Sequence, residues 1–177
     1  MTATIKRIVF ILGLAGMFFL FSGVGCRVKY SLSGASIHPD AKTVSIPFFP
    51  NNAPLVSATL SATFTDALQE KFANQTKLTQ VPEDGDLSFS GEIIGYTSTP
   101  TAITASDEYP SAQNRLTITV RVRFANRLEP QWDFDRTFSH YEDYDSNIPL
   151  SSLESELNAT IVKVLVQDIY DAAVANW

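Results

Sequence analysis

One cysteine in 177 residues leaves this chain without an intrachain disulfide. Two histidines, His38 and His140, and no paired cysteines leave no zinc-ligand spacing, and none of the eight glycines belongs to a phosphate-cradling loop. Basic side chains are also scarce: thirteen Lys and Arg face nineteen Asp and Glu, a net charge of −6. That balance excludes a nucleic-acid binder, which needs a dense basic surface. It also excludes a domain that lies flat on anionic lipid. No apolar run reaches the roughly 20 residues that a bilayer-spanning helix requires. There is no internal repeat and no low-complexity tract.

What is present begins with residues 1–25. Lys6 and Arg7 precede an apolar run from Ile8 to Phe21, and small residues follow up to Cys26. A basic start, an apolar segment of this length and a small-residue cut site make a secretory signal. Val24-Gly25-Cys26 resembles a bacterial lipobox, with Gly23 standing where Leu is usual. In that reading Cys26 carries diacylglycerol as the mature N-terminus, and acyl chains at about 0.8 kcal/mol per buried CH₂ hold the protein on a membrane. An ordinary signal peptide cut nearby and a retained anchor helix are the alternatives. No acidic run follows the cysteine, which points to the periplasmic side of the outer membrane. Without its signal the chain has about 150 residues, enough for one domain with one core. Residues 1–25 hold no acid, so the remainder carries eleven basic against nineteen acidic side chains. Twelve Phe indicate a well-filled interior.

Residues 26–37 read as a lipidated tether or edge strand, and 38–177 as a single domain. Lys42 to Phe49 predicts a strand with Val44, Ile46 and Phe48 on one face; Pro47 makes it an edge or ends it. Ser57 to Asn74 predicts an amphipathic helix capped by Ser57, with Leu60, Phe64, Leu68 and Phe72 on its stripe. Leu87 to Thr97 is a strand whose glycines, Gly91 and Gly95, signal a bulge or a close approach. Thr99 to Asn114 is a polar connection. Arg115 to Phe124 alternates Leu116, Ile118, Val120, Val122 and Phe124 against Arg115, Thr117, Thr119, Arg121 and Arg123. Trp132 to Tyr141 is a further strand, with Trp132, Phe134 and Phe138 on one face. Pro149 to Trp177 is a long helix opened by a Ser151/Glu154 capping box, with a stripe from Leu153 through Leu157, Ile161, Val164, Leu165 and Ile169 to Ala173. The order β-α-β-β-β-α predicts an α+β two-layer sandwich: two helices on one face of a mostly antiparallel four-stranded sheet. The other sheet face, carrying Thr and Arg, meets water or a partner.

Several segments together resemble one family. They are YSLSGASI at 30–37, KTVSIPFFPNNAPLV at 42–56, GDLSFSGEIIGY at 85–96, NRLTITVRVRF at 114–124 and the terminal IYDAAVANW. All are similar to LptE of the Bacteroidetes branch, the lipopolysaccharide-assembly lipoprotein of the outer membrane. The resemblance covers nearly the whole mature chain. It implies two helices on a four-stranded sheet and a partner in the LptD β-barrel, which such proteins plug and help to fold while lipopolysaccharide is delivered; separately, the residues offer no cofactor site. A generic envelope lipoprotein that binds or activates another complex is the alternative.

Four sets of residues are candidates for function. Ser139, His140 and Asp143 suggest a hydrolase only superficially: neighbouring strand residues face opposite ways, so Ser139 and His140 cannot pair, and no enzyme activity is expected. Asp143, Asp145, Asn147, Ser151 and Glu154 fall at calcium-loop spacing, but Ile148 occupies the position that needs Gly. The alternative is a polar turn into a helix whose Glu154 binds backbone N–H groups. Tyr141 and Tyr144, with the polar residues around them in EDYDSN at 142–147, are candidates for contact with a barrel wall, or form a solvated loop. Arg115, Arg121 and Arg123, joined by Arg136 from the neighbouring strand, form a basic cluster suited to phosphates and carboxylates of lipopolysaccharide or to acidic barrel positions. The alternative is a solvated face balanced by nearby acids.

Overall fold

The computed structural model describes residues 37–55, 57–101 and 112–174. The signal segment, Cys26, nearly all of the 26–37 tether and the centre of the 99–114 connection lie outside these residues. The described elements are β1 (Thr43–Ser45), α1 (Leu60–Gln75), β2 (Thr79–Val81), β3 (Leu87–Pro100), β4 (Gln113–Asn126), β5 (Phe134–Asp145) and α2 (Leu150–Val174), with a 3-10 turn at Pro130–Trp132.

The sheet has five strands in the order β2-β1-β3-β4-β5, not four. The long pairings, β3 with β4 and β4 with β5, are antiparallel. β1 runs parallel to both β2 and β3. The additional strand, β2, occupies the edge expected for β1. It forms because the Thr79 N–H donates to the Lys42 carbonyl at 2.8 Å, starting a three-residue ladder beside β1. β1 itself ends before Pro47, which has no N–H to continue it. Period-two alternation ends with it, so Phe49 is buried and Phe48 is exposed, the reverse of the expected pattern. The Phe49 N–H donates to Thr65 Oγ1 at 3.1 Å, fastening the segment to α1.

Most of each helical stripe is buried as read, but Val164 of the expected α2 stripe is only half-buried, and Val162, Val166 and Tyr170 join the core beside it. Leu60, Phe64, Leu68 and Phe72 of α1 are fully buried, as are Ile161, Leu165 and Ile169 of α2. Both stripes meet the inner residues of the strands in one core. An aromatic chain crosses that core, from Tyr170 to Phe72, Phe89, Phe124 and Phe134, with successive ring centres 4.9–5.2 Å apart. Such tilted pairs contribute about 0.5–1.5 kcal/mol each beyond area burial.

The caps differ from expectation. α1 opens at Leu60 behind Thr59, whose side chain makes no capping bond. Ser57 lies two residues before Thr59 and is buried; its Oγ accepts from Asn158 Nδ2 of α2 at 3.1 Å. α2 opens at Leu150, so Ser151 lies inside its first turn, and the Ser152 N–H bonds the Pro149 carbonyl at 3.0 Å.

Both glycine signals in β3 are explained. Pairing with β4 shifts between Ile93 and Gly95, a bulge that turns Tyr96 into the core. At Gly91 a Cβ would stand 2.1 Å from the Arg121 carbonyl oxygen and 2.7 Å from the Phe49 ring. Only glycine lets the sheet and the β1–α1 segment approach so closely.

Candidate partner-binding face

The face of the sheet turned away from the helices is built by β4 and β5. In β4, alternation buries Leu116, Ile118, Val120, Val122 and Phe124, leaving Arg115, Thr117, Thr119, Arg121 and Arg123 outside. Register with β5 sets Asp143 opposite Arg115, Tyr141 opposite Thr117, Ser139 opposite Thr119 and Thr137 opposite Arg121. Directly opposed residues share a face.

Arg115 makes a bidentate pair with Asp143, Nε to Oδ1 at 2.7 Å and Nη2 to Oδ2 at 2.8 Å. Arg121 does the same with Asp135 at 2.9 and 3.0 Å, and Arg123 adds a bond from Nη2 at 3.1 Å. Hydrogen bonds from Arg115 lower the Asp143 pKa, and those from Arg121 and Arg123 lower that of Asp135. The same bonds raise the pKa values of Arg115 and Arg121. Glu92 of β3 stands opposite Arg121 and accepts from Asn52 Nδ2 at 2.6 Å. The face is therefore a ladder of paired charges, and the expected basic cluster is balanced across the strands. Next to it Pro50, Ser90, Glu92, Arg121, Arg123 and Asp135 line a shallow depression of about 280 Å³.

Arg136 does not join the cluster. It pairs in register with Val122, which places it on the helix-facing side, where its guanidinium carbon lies 5.3 Å from the centre of the Phe134 ring. The parity was readable in the sequence, since Arg136 is in phase with Phe134 and Phe138. The same parity places Asp135 and Asp143 opposite the arginines, and sequence reasoning missed both as partners.

The tyrosines part ways. Tyr141 is 46% exposed on the outer face, with the Arg115 guanidinium carbon 3.6 Å from its ring centre. Tyr144 is buried on the other side, its hydroxyl 2.7 Å from Ser98 Oγ, so it offers no ring to a partner. Ser139 and His140 do face opposite ways: Ser139 Oγ is 3.0 Å from Thr119 Oγ1 on the outer face.

The calcium-spaced residues are not brought together. Asp143 is held by Arg115, and Asp145 Oδ1 accepts from Asn147 N–H and Nδ2, both at 2.8 Å. Glu154 Oε1 accepts from the Tyr96 hydroxyl at 3.2 Å and not from backbone N–H groups. Burial, then the Glu154 charge, pushes the Tyr96 pKa up to about 12. Among the described residues no group of three or more His, Cys, Asp or Glu could hold a metal ion.

Residues 41–173 match the LptE family, described as lipopolysaccharide-assembly. The chain belongs to the LptE family. No curated protein matches it. Among solved structures, uncharacterized lipoprotein B from Nitrosomonas europaea is 12% identical, covering 83% of this chain and 88% of that one at a TM-score of 0.47. The minor lipoprotein from Acinetobacter baumannii is 14% identical over 71% of this chain and 89% of its own, TM-score 0.43. Rare lipoprotein B from Shewanella oneidensis is 11% identical over 70% and 89%, TM-score 0.38.

Proposed function

We propose that this LptE-family chain is a lipoprotein anchored through Cys26 to the periplasmic side of the outer membrane. There it pairs with an LptD-like β-barrel as plug and folding partner in lipopolysaccharide transport. The family match over residues 41–173 carries this reading. The outer face of β4 and β5 is its docking surface: a flat array of paired guanidinium and carboxylate groups with the Tyr141 ring among them. Such a face suits a polar barrel interior, because both charge signs find partners there and Tyr is enriched in interface cores. Lipopolysaccharide phosphates would have to compete with Asp135 and Asp143 for the same guanidinium groups, so barrel docking is the stronger use. The protein acts by binding and not by catalysis; the separation of Ser139 from His140 across the sheet supports this. The test is affinity recovery of the full chain from detergent-solubilised outer membrane, with mass spectrometry of what accompanies it. A stoichiometric LptD-like barrel is expected. Recovery without any barrel would overturn the assignment.

A further inference from the structure

We propose that the β4–β5 turn, Arg127–Asp133, is a second membrane contact that seats Leu128 and Trp132 in the interface of the phospholipid bilayer beside the lipid anchor. This rests on the reading of Cys26 as lipidated. The described chain enters the domain at Ile37, and β1 begins at Thr43, parallel to β3 and opposite its first residues. One carboxylate ties that entry to the β4–β5 turn. Asp86 Oδ2 accepts from the Lys42 and Thr43 N–H groups at 2.8 and 3.0 Å, while Asp86 Oδ1 accepts from Arg127 Nη2. The Arg127 N–H bonds the Asp86 carbonyl at 2.9 Å. Tether and turn thus leave the same end of the sheet. Ten residues lie between Cys26 and Ile37, so the eleven steps between them reach roughly 36–40 Å at full extension. β3 has fourteen residues, a length of about 45 Å. The tether is shorter than the sheet, so the end at which it enters is the end an anchor holds nearest the bilayer.

That end presents the right chemistry. Leu128 is 37% and Trp132 40% exposed, two large apolar side chains on one seven-residue turn. Trp is the side chain most at home at the membrane interface, with an apolar body and an N–H for the headgroup level. The turn is braced, so insertion orders little. Asn126 Oδ1 accepts from the Leu128 and Glu129 N–H groups, both at 3.0 Å. Asp133 Oδ1 accepts from Asn126 N–H at 2.7 Å, and the Trp132 N–H bonds the Glu129 carbonyl at 3.0 Å. Arg136, three residues beyond the turn, is exposed beside the Phe134 ring and, with Arg127, balances the turn's own Glu129 and Asp133 in number. Attachment of this kind is apolar and local, which an acidic domain can sustain where broad electrostatic adsorption cannot.

The experiment uses the full chain, natively processed, with Trp177→Phe so that Trp132 alone fluoresces. It is reconstituted without any barrel into vesicles of phosphatidylethanolamine and phosphatidylglycerol, with and without bromine on the acyl chains near the glycerol. Mass spectrometry of the same preparation reads the lipid on Cys26. A diacylglycerol adduct, with Trp132 emission blue-shifted and quenched by brominated lipid, is the expected result. An adduct with unquenched, solvent-like Trp132 emission overturns the membrane contact and leaves the anchor standing. Absence of any adduct overturns both.

Discussion

The guanidinium of Arg115 is clamped between Asp143 and the Tyr141 ring, 2.7 Å from the carboxylate and 3.6 Å from the ring centre. Both clamps come from β5, so the outer face is fixed before any partner arrives. Tyr141→Ala removes a half-exposed ring stacked on Arg115, and Arg121→Glu with Arg123→Glu removes surface ion pairs that are solvent-screened. Melting temperatures are expected to stay close to wild type. Barrel recovery is expected to fall, and to fall more at low salt for the Glu pair, where screening is least. Undiminished recovery of both variants at low ionic strength would move the docking surface elsewhere.

Asp86 gives the fold an acid-sensitive joint. Hydrogen bonds from Lys42 N–H and the Thr43 hydroxyl, with help from Arg127, hold its pKa well below the ordinary carboxylate range. An unfolded Asp titrates near about 3.9. A depressed folded value means that the unfolded chain binds more protons in acid, so the joint contributes its full stability above about pH 4 and loses it as pH falls below that. Asp135 and Asp143 act in the same direction. Thermal melts from pH 6 down to pH 2 should show wild type losing stability more steeply below pH 4 than Asp86→Asn. Parallel curves would mean that the joint does not titrate with folding. The variant should also start lower at pH 6, because the Lys42 and Thr43 N–H groups lose their carboxylate.

Much of this fold was legible because the signals were long. β4 alternates over its whole length, and each helix repeats its apolar residues over four turns or more, so few registers were available to them. β2 was illegible for the opposite reason. It is three residues, with Thr79 and Gln80 exposed, and only its ladder with β1 makes it a strand. The end of β1 follows from Pro47, but the burial of Phe49 in place of Phe48 depends on Thr65 and Gly91, both distant in sequence. At the outer face the arginines were visible on one strand, whereas their neutralisation required the register between two. Asp86 looked like one polar residue in a turn, and nothing local shows that it gathers donors from residues more than 40 positions away in both directions.

Gly91 and Gly95 sit four apart in β3 yet should tolerate alanine unequally. A Cβ at Gly91 meets backbone, the Arg121 carbonyl, which cannot move without opening the ladder. A Cβ at Gly95 meets Thr119 Cβ at 3.0 Å and its Oγ1 at 3.1 Å; the hydroxyl can rotate away, and the Cβ contact needs only a shift of a few tenths of an ångström. Overpacking costs typically about 1–3 kcal/mol. Gly91→Ala is expected at or beyond the top of that range, and Gly95→Ala well below it. Denaturant midpoints rank the two, and a reversed order would contradict the close approach at Gly91.

Cys26→Ala separates anchor from fold. If covalent lipid provides the primary attachment, the variant should lose palmitate label and leave the membrane fraction while retaining its melting transition. Label persisting on the alanine variant would remove Cys26 as the lipidated residue.

The heaviest dependence of the domain falls on α2. Among the described residues no helix is long and apolar enough to cross a membrane, and the stripe of α2 is spent on the sheet. Ile161 is fully buried and Leu157 is 7% exposed, one turn apart over the same core. Truncating either to Ala costs about 2–5 kcal/mol. The total stability of a domain is about 5–15 kcal/mol, so the two together remove much or all of it. Neighbouring sites share a cavity, and their sum departs from strict additivity. Even so, Leu157→Ala with Ile161→Ala is expected to abolish a cooperative melt of the free chain, while either single variant melts cooperatively at lower temperature. Leu153, only partly buried nearer the start of the helix, should tolerate the same truncation with a smaller shift. A double variant that melts sharply within a few degrees of wild type would show that α2 is not the cover its burial pattern describes.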